Sequence, residues 1–88
     1  MIKFASTEYN NPNKHYTTVK AQFDLEGNIL PLSMTYNDEE YEIDRIVDIR
    51  PAASLKSGGA GIRYTCYVAG KKTYLFLEET RWFFELAE

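Results

Sequence analysis

The feature that most constrains the fold is an alternation of apolar and polar residues, which is longest between Tyr41 and Val68. Side chains that alternate in this way point to opposite faces of an extended strand, so one face can be buried while the other meets water. The alternation occupies segments 41–50 and 62–68, which flank a glycine-rich stretch. We therefore predict two strands that are joined by a loop from Pro51 to Gly61.

The first of these strands breaks its own pattern at Arg45 and Ile46. Because Arg45 falls among the apolar residues and Ile46 among the charged ones, we expect either a β-bulge or a strand covered on both faces. A helix is the alternative, since apolar residues also recur here at spacings of three and four. The β-branched residues and the proline after Arg50 favour a curved strand. Its buried face is predicted to hold Tyr41, Ile43, Val47 and Ile49.

Other segments show the same period of two, and polar or glycine-containing turns separate them. Period two with turn residues between the segments is typical of antiparallel strands. In the second of these segments we expect Leu30, Leu32, Met34 and Tyr36 to share a face, while Pro31, which lacks an N–H, indicates an edge position or a bulge. The predicted strands are 16–23, 29–36, 73–78 and 82–86.

These strands predict an all-β fold, a small antiparallel meander of about six strands that forms a barrel or a strongly bent sheet. Curling protects the edges of such a sheet from pairing with other chains. With 88 residues the chain fits one domain, 1–88, in which residues 1–14 are expected to form an edge strand or a mobile N-terminal extension.

The composition argues against several classes of function. A net charge of −3 and a pI near 5.1 give a field that repels phosphate backbones, so nucleic-acid binding would need a local basic patch. Cys66 has no second cysteine for a disulfide, and with the single His15 it cannot complete a structural zinc site. We expect no metal and no cofactor. The sequence shows no signal peptide or membrane-spanning run, which predicts a soluble cytoplasmic protein with no membrane partner.

Several short motifs carry a resemblance to a known group of proteins. They are Phe23-Asp24 with Gly27, Pro31, Tyr41-Glu42-Ile43-Asp44-Arg45-Ile46, Arg50, Gly61-Ile62-Arg63-Tyr64 and Trp82-Phe83. On these motifs the chain resembles small uncharacterised bacterial proteins that are often encoded near Y-family lesion-bypass DNA polymerases. The resemblance covers roughly residues 20 to 86. It implies an association with DNA repair, and it brings no catalytic residue.

The glycine-rich stretch is the first candidate site. Glycines allow backbone N–H groups to converge on an anion, and arginine or lysine supplies the charge that holds a phosphate or a carboxylate. The spacing differs from that of a Walker phosphate-binding loop. A connector without a ligand is the alternative interpretation. The candidate anion-binding residues are Arg50, Lys56, Ser57, Gly58, Gly59, Gly61 and Arg63.

A second candidate is a face of tyrosines. Tyr16, Tyr67 and Tyr74, together with Lys71 and Lys72, are the residue types on which single-stranded bases stack. Cross-strand packing is the alternative, since aromatic residues on a sheet usually contact one another. The arginines near the glycine stretch similarly allow either a basic stripe or ion pairs with neighbouring carboxylates.

No spacing in the sequence specifies a catalytic group, so we do not expect an enzyme. Cys66 lies on an apolar strand face, His15 is expected in a solvated turn, and Glu78, Glu79 and Glu85 are expected to be solvated. The preferred function is a non-catalytic binding or protein-interaction module, accessory to DNA repair, that docks a protein partner through a sheet edge or the tyrosine face. The alternative is a module that binds phosphate, single-stranded DNA or RNA through Gly58–Gly61 and the neighbouring arginines.

Overall fold

A computed structural model describes residues 15–54 and 58–86. They form one antiparallel sheet that curls into a half-barrel, in the strand order β1-β7-β6-β5-β4-β3-β2. The all-β prediction is confirmed, and the edge strand predicted within residues 1–14 lies outside the described part. No helix in these two ranges is long and apolar enough to cross a membrane. The strands are β1 (His15–Thr17), β2 (Val19–Phe23), β3 (Ile29–Tyr36), β4 (Glu39–Ser54), β5 (Gly58–Val68), β6 (Lys71–Glu78) and β7 (Arg81–Leu86).

Two crossings give the sheet its curl. The predicted strand 16–23 is divided at Thr18, so that β1 pairs with β7 while β2 pairs with β3. The Thr18 carbonyl accepts a hydrogen bond from the Thr35 amide at 3.0 Å. In β4, Glu39–Glu42 pairs with β3, whereas the rest of the strand pairs with β5. The chain therefore passes twice between the two parts of the sheet, which encloses a core between them.

The irregular pattern of β4 comes from bulges. Its register against β5 shifts on either side of Asp44 and again on either side of Val47. Each extra residue shifts the phase by one, so inward residues recur at a spacing of three after Ile43, which explains the helix-like spacing. Val47 points outward and is 47% exposed, so its predicted place on the buried face was wrong. By register the inward pairs are Ile43 with Val68, Ile46 with Cys66 and Ile49 with Tyr64, but Ile49 is also 47% exposed, so its predicted burial was wrong as well.

A bulge also shifts the phase of β3. Lys20 pairs with Ser33 and Ala21 pairs with Pro31, which leaves Leu32 without a partner in β2. Leu32 is consequently half exposed, whereas Pro31 is buried, so the predicted shared face of Leu30, Leu32, Met34 and Tyr36 was wrong. The bulge expected from the proline is confirmed.

The predicted loop from Pro51 to Gly61 is strand over most of its length. Ala52 pairs with Gly61 and Ser54 pairs with Gly58, so β4 and β5 continue as a hairpin. A Cβ at Gly61 would overlap the backbone carbonyl oxygen of Leu77. Glycine is needed at that position because β5 approaches β6 closely, and not because the chain turns there.

The core lies between the two parts of the sheet. Cys66 is fully buried, which raises the pKa of its thiol to about 11 and confirms that it acts as a small apolar residue. Trp82 packs at the margin of this core and is only partly buried. The fully or nearly buried members are Met34, Tyr64, Cys66, Val68, Leu75, Leu77 and Phe84.

Candidate functional site

Two clefts open into the core at opposite ends of the strands. The first, which we call the hairpin groove, has a volume of about 520 Å³ and lies beside the turn between β2 and β3. The second, which we call the end cleft, has a volume of about 300 Å³ and lies beside the turns that join β3 to β4 and β5 to β6. The hairpin groove is lined by Asp24, Gly27, Asn28, Ile29, Leu30, Ile49, Ile62 and Tyr64. The end cleft is lined by Met34, Tyr36, Tyr41, Val68, Ala69, Lys71, Thr73, Phe84 and Leu86.

The hairpin groove exists because β3 and β4 part from each other. Their ladder spans only Ser33–Tyr36 and Glu39–Glu42. Beyond it, residues 29–31 of β3 pair with β2, and β4 from residue 43 onward pairs with β5. The bulges lie just where the strands diverge, and bulges bend a strand and increase its twist. The groove is therefore bordered by two strand edges that do not pair with each other.

Tyr64 ties the two parts of the sheet together across the floor of the groove. Its hydroxyl donates a hydrogen bond of 2.5 Å to the carbonyl oxygen of Ile29. Its ring is almost fully buried and lies 5.3 Å from the ring of Trp82, measured between centroids. Burial raises the pKa of the hydroxyl, so it stays protonated and remains a donor at neutral pH.

The turn between β2 and β3 presents apolar side chains to water. The Asp24 carboxylate accepts hydrogen bonds from the amides of Glu26 and Asn28 at 2.9 and 2.8 Å, and Gly27 supplies a φ of 87°. The side chain of Asn28 also donates to Asp24, and this bond is the largest cause that lowers the pKa of Asp24. In this ordered turn Leu25 is fully exposed. Phe23, the last residue of β2, is also exposed, at 71%.

The end cleft reaches directly into the core. Its floor contains Met34 and Phe84, which are both buried, and the Tyr36 ring packs edge-to-face on Phe84 with the centroids 5.4 Å apart. Tyr36 and Leu86 are half exposed at its mouth. Lys71 is the cation in its lining, and no salt bridge from Lys71 to another described residue is present.

Comparison of the chain with family models, curated proteins and solved structures finds no match. Functional arguments for this chain therefore depend on its own geometry.

The predicted anion site is brought together only in part. Arg50 and Arg63 lie directly opposite each other on β4 and β5. The Arg50 guanidinium donates to Asp48 at 2.7 Å, and this bond is the main cause that lowers the pKa of Asp48. The backbones of Gly58, Gly59 and Gly61 belong to the ladder of β5, whose geometry does not converge N–H groups on one point. Lys56 and Ser57 lie outside the described residues.

The three predicted tyrosines do share the outer face of the sheet, where Lys72 pairs with Tyr67 and an arginine contacts each ring. The guanidinium carbon of Arg45 lies 4.6 Å from the centroid of the Tyr67 ring. Equivalent contacts join Arg63 to Tyr74 at 5.1 Å and Arg81 to Tyr16 at 3.8 Å. Each ring therefore has an arginine against it, which is the arrangement of a cation–π contact.

Between these tyrosines, Phe76 and Phe83 stack with centroids 4.8 Å apart and are both buried. The outer face is thus packed, as the cross-strand alternative expected. Tyr16 also donates from its hydroxyl to Glu78 at 3.1 Å.

The remaining candidates do not assemble into a reactive centre. His15 lies in β1, not in a turn, with its ring centroid 5.6 Å from that of Phe84. Glu85 is buried, so its expected solvation was wrong. Across residues 15–54 and 58–86, no three histidine, cysteine, aspartate or glutamate side chains are grouped so that they could hold a metal ion.

Two features of the clefts were not predicted from the sequence. They are the full exposure of Leu25 and the position of Lys71 in the lining of the end cleft. For Leu25 a signal was present, because it is an apolar residue between Asp24 and Glu26 in a segment that is otherwise typical of a polar turn. For Lys71 no local signal separates it from Lys72. Only the fold shows that the first lysine lines the end cleft, whereas the second pairs with Tyr67 on the adjacent strand.

Proposed function

We propose that this chain is a non-catalytic protein-interaction module that docks a partner protein at the hairpin groove. The observation that carries the proposal is the exposure of Leu25 and Phe23 beside that groove. Leu25 is fully exposed and Phe23 is 71% exposed, whereas the other large apolar residues within 15–54 and 58–86 whose burial is described are at least half covered. Exposed apolar side chains beside an apolar groove are typical of sites where another protein binds.

The turn is already ordered in the shape that a partner would meet. Asp24 holds it through the amides of Glu26 and Asn28 and the side chain of Asn28. A loop that is fixed before binding loses less conformational entropy when a partner docks. Leu25 therefore serves as a preorganised anchor.

The groove supplies the apolar floor that such an interface needs. Ile29, Ile49 and Ile62 line it around the Tyr64 ring, and Phe23 pairs with Ile29 at its margin. The charges beside the anchor are acidic, because Leu25 lies between Asp24 and Glu26. A partner segment with apolar side chains flanked by lysine or arginine is complementary to this surface.

The unpaired edges beside the groove also support an extended partner segment. β3 and β4 face each other there without a ladder, so their backbone groups can receive an added strand. Pro31 and the bulge at Val47 interrupt regular pairing along these edges. We therefore assign the selectivity to apolar side chains in the groove and only a short stretch of backbone pairing to the edge.

The test compares three baits. Leu25→Ser removes the anchor, and Leu86→Ser is the matched control, because Leu86 is a half-exposed leucine at the end cleft. We expect the wild type and Leu86→Ser to retain a common protein partner from a lysate, and Leu25→Ser to lose it. The partner is then purified, and its affinity for Leu25→Ser should be at least about tenfold weaker, as expected for an interface anchor. The resemblance to proteins encoded near Y-family polymerases makes those polymerases the first purified partners to test.

The proposal is wrong if every protein that binds the wild type binds Leu25→Ser with equal affinity. Melting temperatures of the three baits provide the folding control. Since Leu25 is fully exposed, its replacement should leave the melting temperature unchanged.

Anion binding is a second candidate, and one observation favours it. The Nε atom of Arg63 is buried with no hydrogen-bond partner among the described residues, and Arg50, which also donates to Asp48, lies directly opposite. A phosphate of a single-stranded oligonucleotide can accept from both guanidinium groups. Salt-sensitive oligonucleotide binding that Arg63→Ala abolishes and Leu25→Ser preserves would support this candidate over the first.

A further inference from the structure

The end cleft is separate from the surface used in the proposed function. It lies at the opposite end of the strands, and its lining shares no residue with that of the hairpin groove. Its walls are almost wholly apolar, with Met34, Val68 and Phe84 at the floor and Leu86 at the mouth. A cleft of about 300 Å³ is at the small end of the range for small-molecule sites.

Two features of the mouth indicate what the cleft would hold. Leu86 and Tyr36 are each 45% exposed, so an apolar group seated in the cleft would remove part of their surface from water. Lys71 lines the same opening, and neither of the salt bridges described for residues 15–54 and 58–86 involves it. The surface therefore combines an apolar cavity with one positive charge that forms no salt bridge with a described residue, while the Glu39 carboxylate beside the cleft accepts a hydrogen bond from Tyr41 in its lining.

We propose that the end cleft binds a small amphipathic carboxylate, namely a medium-length aliphatic chain with one anionic end. The chain fills the space above Met34, Val68 and Phe84, and the carboxylate lies at the mouth beside the Lys71 ammonium group. A cationic amphiphile is disfavoured by Lys71, and a bulky lipid exceeds the volume of the cleft. The proposal does not depend on the partner-docking function.

The test is a titration of the isotope-labelled full chain with octanoate, followed by NMR of the methyl groups. We expect saturable chemical-shift changes in the methyl resonances of Met34, Val68 and Leu86. The resonances of Leu25 and Ile49, at the hairpin groove, are internal controls that should not shift. Hexanoate should bind about tenfold or more weakly than octanoate, since each buried methylene contributes a factor of about four in affinity.

The charge is tested with two neighbouring lysines. Lys71→Met should weaken octanoate binding by about two- to fivefold, the range expected for an exposed ion pair, and should remove the preference for octanoate over octan-1-ol. Lys72→Met is the matched control and should bind like the wild type, because Lys72 is exposed but does not line the cleft. Leu86→Ser should weaken the binding of both octanoate and octan-1-ol, whereas Leu25→Ser should leave both affinities unchanged.

Any of three results would overturn the proposal. The first is a set of shifts that appears at both ends of the molecule. The second is an octanoate affinity that does not depend on chain length. The third is an equal effect of Lys71→Met and Lys72→Met. Methyl spectra of the unliganded variants confirm that each is folded before titration.

Discussion

The two ends of the half-barrel close one core in different ways. At the end cleft, β3 and β4 remain paired through Ser33–Tyr36 and Glu39–Glu42, so side chains alone define the opening. At the hairpin groove the same two strands are not paired. There the hydrogen bond from the Tyr64 hydroxyl to the Ile29 carbonyl connects β5 to β3. Both openings are lined mainly by apolar side chains, so the difference in exposed strand edges arises from strand register. Bulges in β3 and β4 thus decide which end exposes strand edges.

The ends also differ in charge and in what they expose. The end cleft has Lys71 at its mouth, and its half-exposed Tyr36 packs on Phe84. The hairpin groove has Asp24 in its lining and carries a leucine that is fully exposed beside it. The smaller cleft with a cation at its mouth is the one for which we propose a small anion-bearing chain, and the larger groove with an exposed leucine beside it is the one for which we propose a protein partner.

The largest expected effect comes from removing the aromatic side chain at each end. Phe84 is buried at the floor of the end cleft, and Phe84→Ala should reduce the free energy of unfolding by about 3–5 kcal/mol. Trp82, whose ring is tilted against that of Tyr64 toward the groove, is only partly buried, so Trp82→Ala should reduce the free energy of unfolding by less. Urea unfolding of the two variants gives both values. A larger loss for Trp82→Ala would show that the core is centred on the groove end.

Strand identity could be predicted from the sequence because it depends on local alternation. The irregular pattern at Arg45 and Ile46 predicted a bulge in β4, and the structure confirms one. The pattern did not predict which residue is the extra one. The extra residues are Asp44 and Val47, and only the pairing with β5 identifies them. The same holds for Leu32, whose exposure depends on its missing partner in β2. Alternation reports which residues share a face, whereas a bulge is a property of two strands.

The candidate sites show the same limit. Arg50 and Arg63, both named for the predicted anion site, do lie opposite each other, because residues on either side of a hairpin are brought together by its folding. The glycines between them were interpreted as a loop, since glycine commonly marks turns. Gly61 is instead required by the approach of Leu77 on a different strand. That requirement is a long-range contact, which no local pattern in the sequence reveals.

A smaller effect tests whether one hydrogen bond holds the groove end together. Tyr64→Phe removes the hydroxyl that donates to the Ile29 carbonyl and leaves the buried ring in place. We expect a loss of about 0.5–1.5 kcal/mol in the free energy of unfolding, with faster amide exchange in residues 29–32. Tyr67→Phe is the control, since Tyr67 is on the outer face and its contact with Arg45 uses the ring. Equal stabilities and exchange rates for the two variants would mean that the bond does not restrain β3.

The smallest effect separates the charge of the turn from its shape. Asn28 and the amides of the turn lower the pKa of Asp24 in the folded state below its ordinary value of 3.8. A lowered folded-state pKa means that the carboxylate stabilises the fold above the ordinary value and that this contribution is lost as the pH falls through the folded-state pKa. Asp24→Asn keeps an oxygen that can accept from the turn amides but has no charge to titrate.

We therefore expect the wild type to lose more stability than Asp24→Asn when the pH falls from about 5 to about 2. Thermal unfolding across that range, with Glu26→Gln as the control from the same turn, measures the difference. Identical pH dependence in the wild type and Asp24→Asn would show that the carboxylate does not hold the turn. The turn that presents Leu25 would then depend on its backbone hydrogen bonds, from the Asp24 amide to the Asn28 carbonyl and from the Gly27 amide to the Asp24 carbonyl, and the charge of Asp24 would not contribute to the preorganised anchor at the hairpin groove.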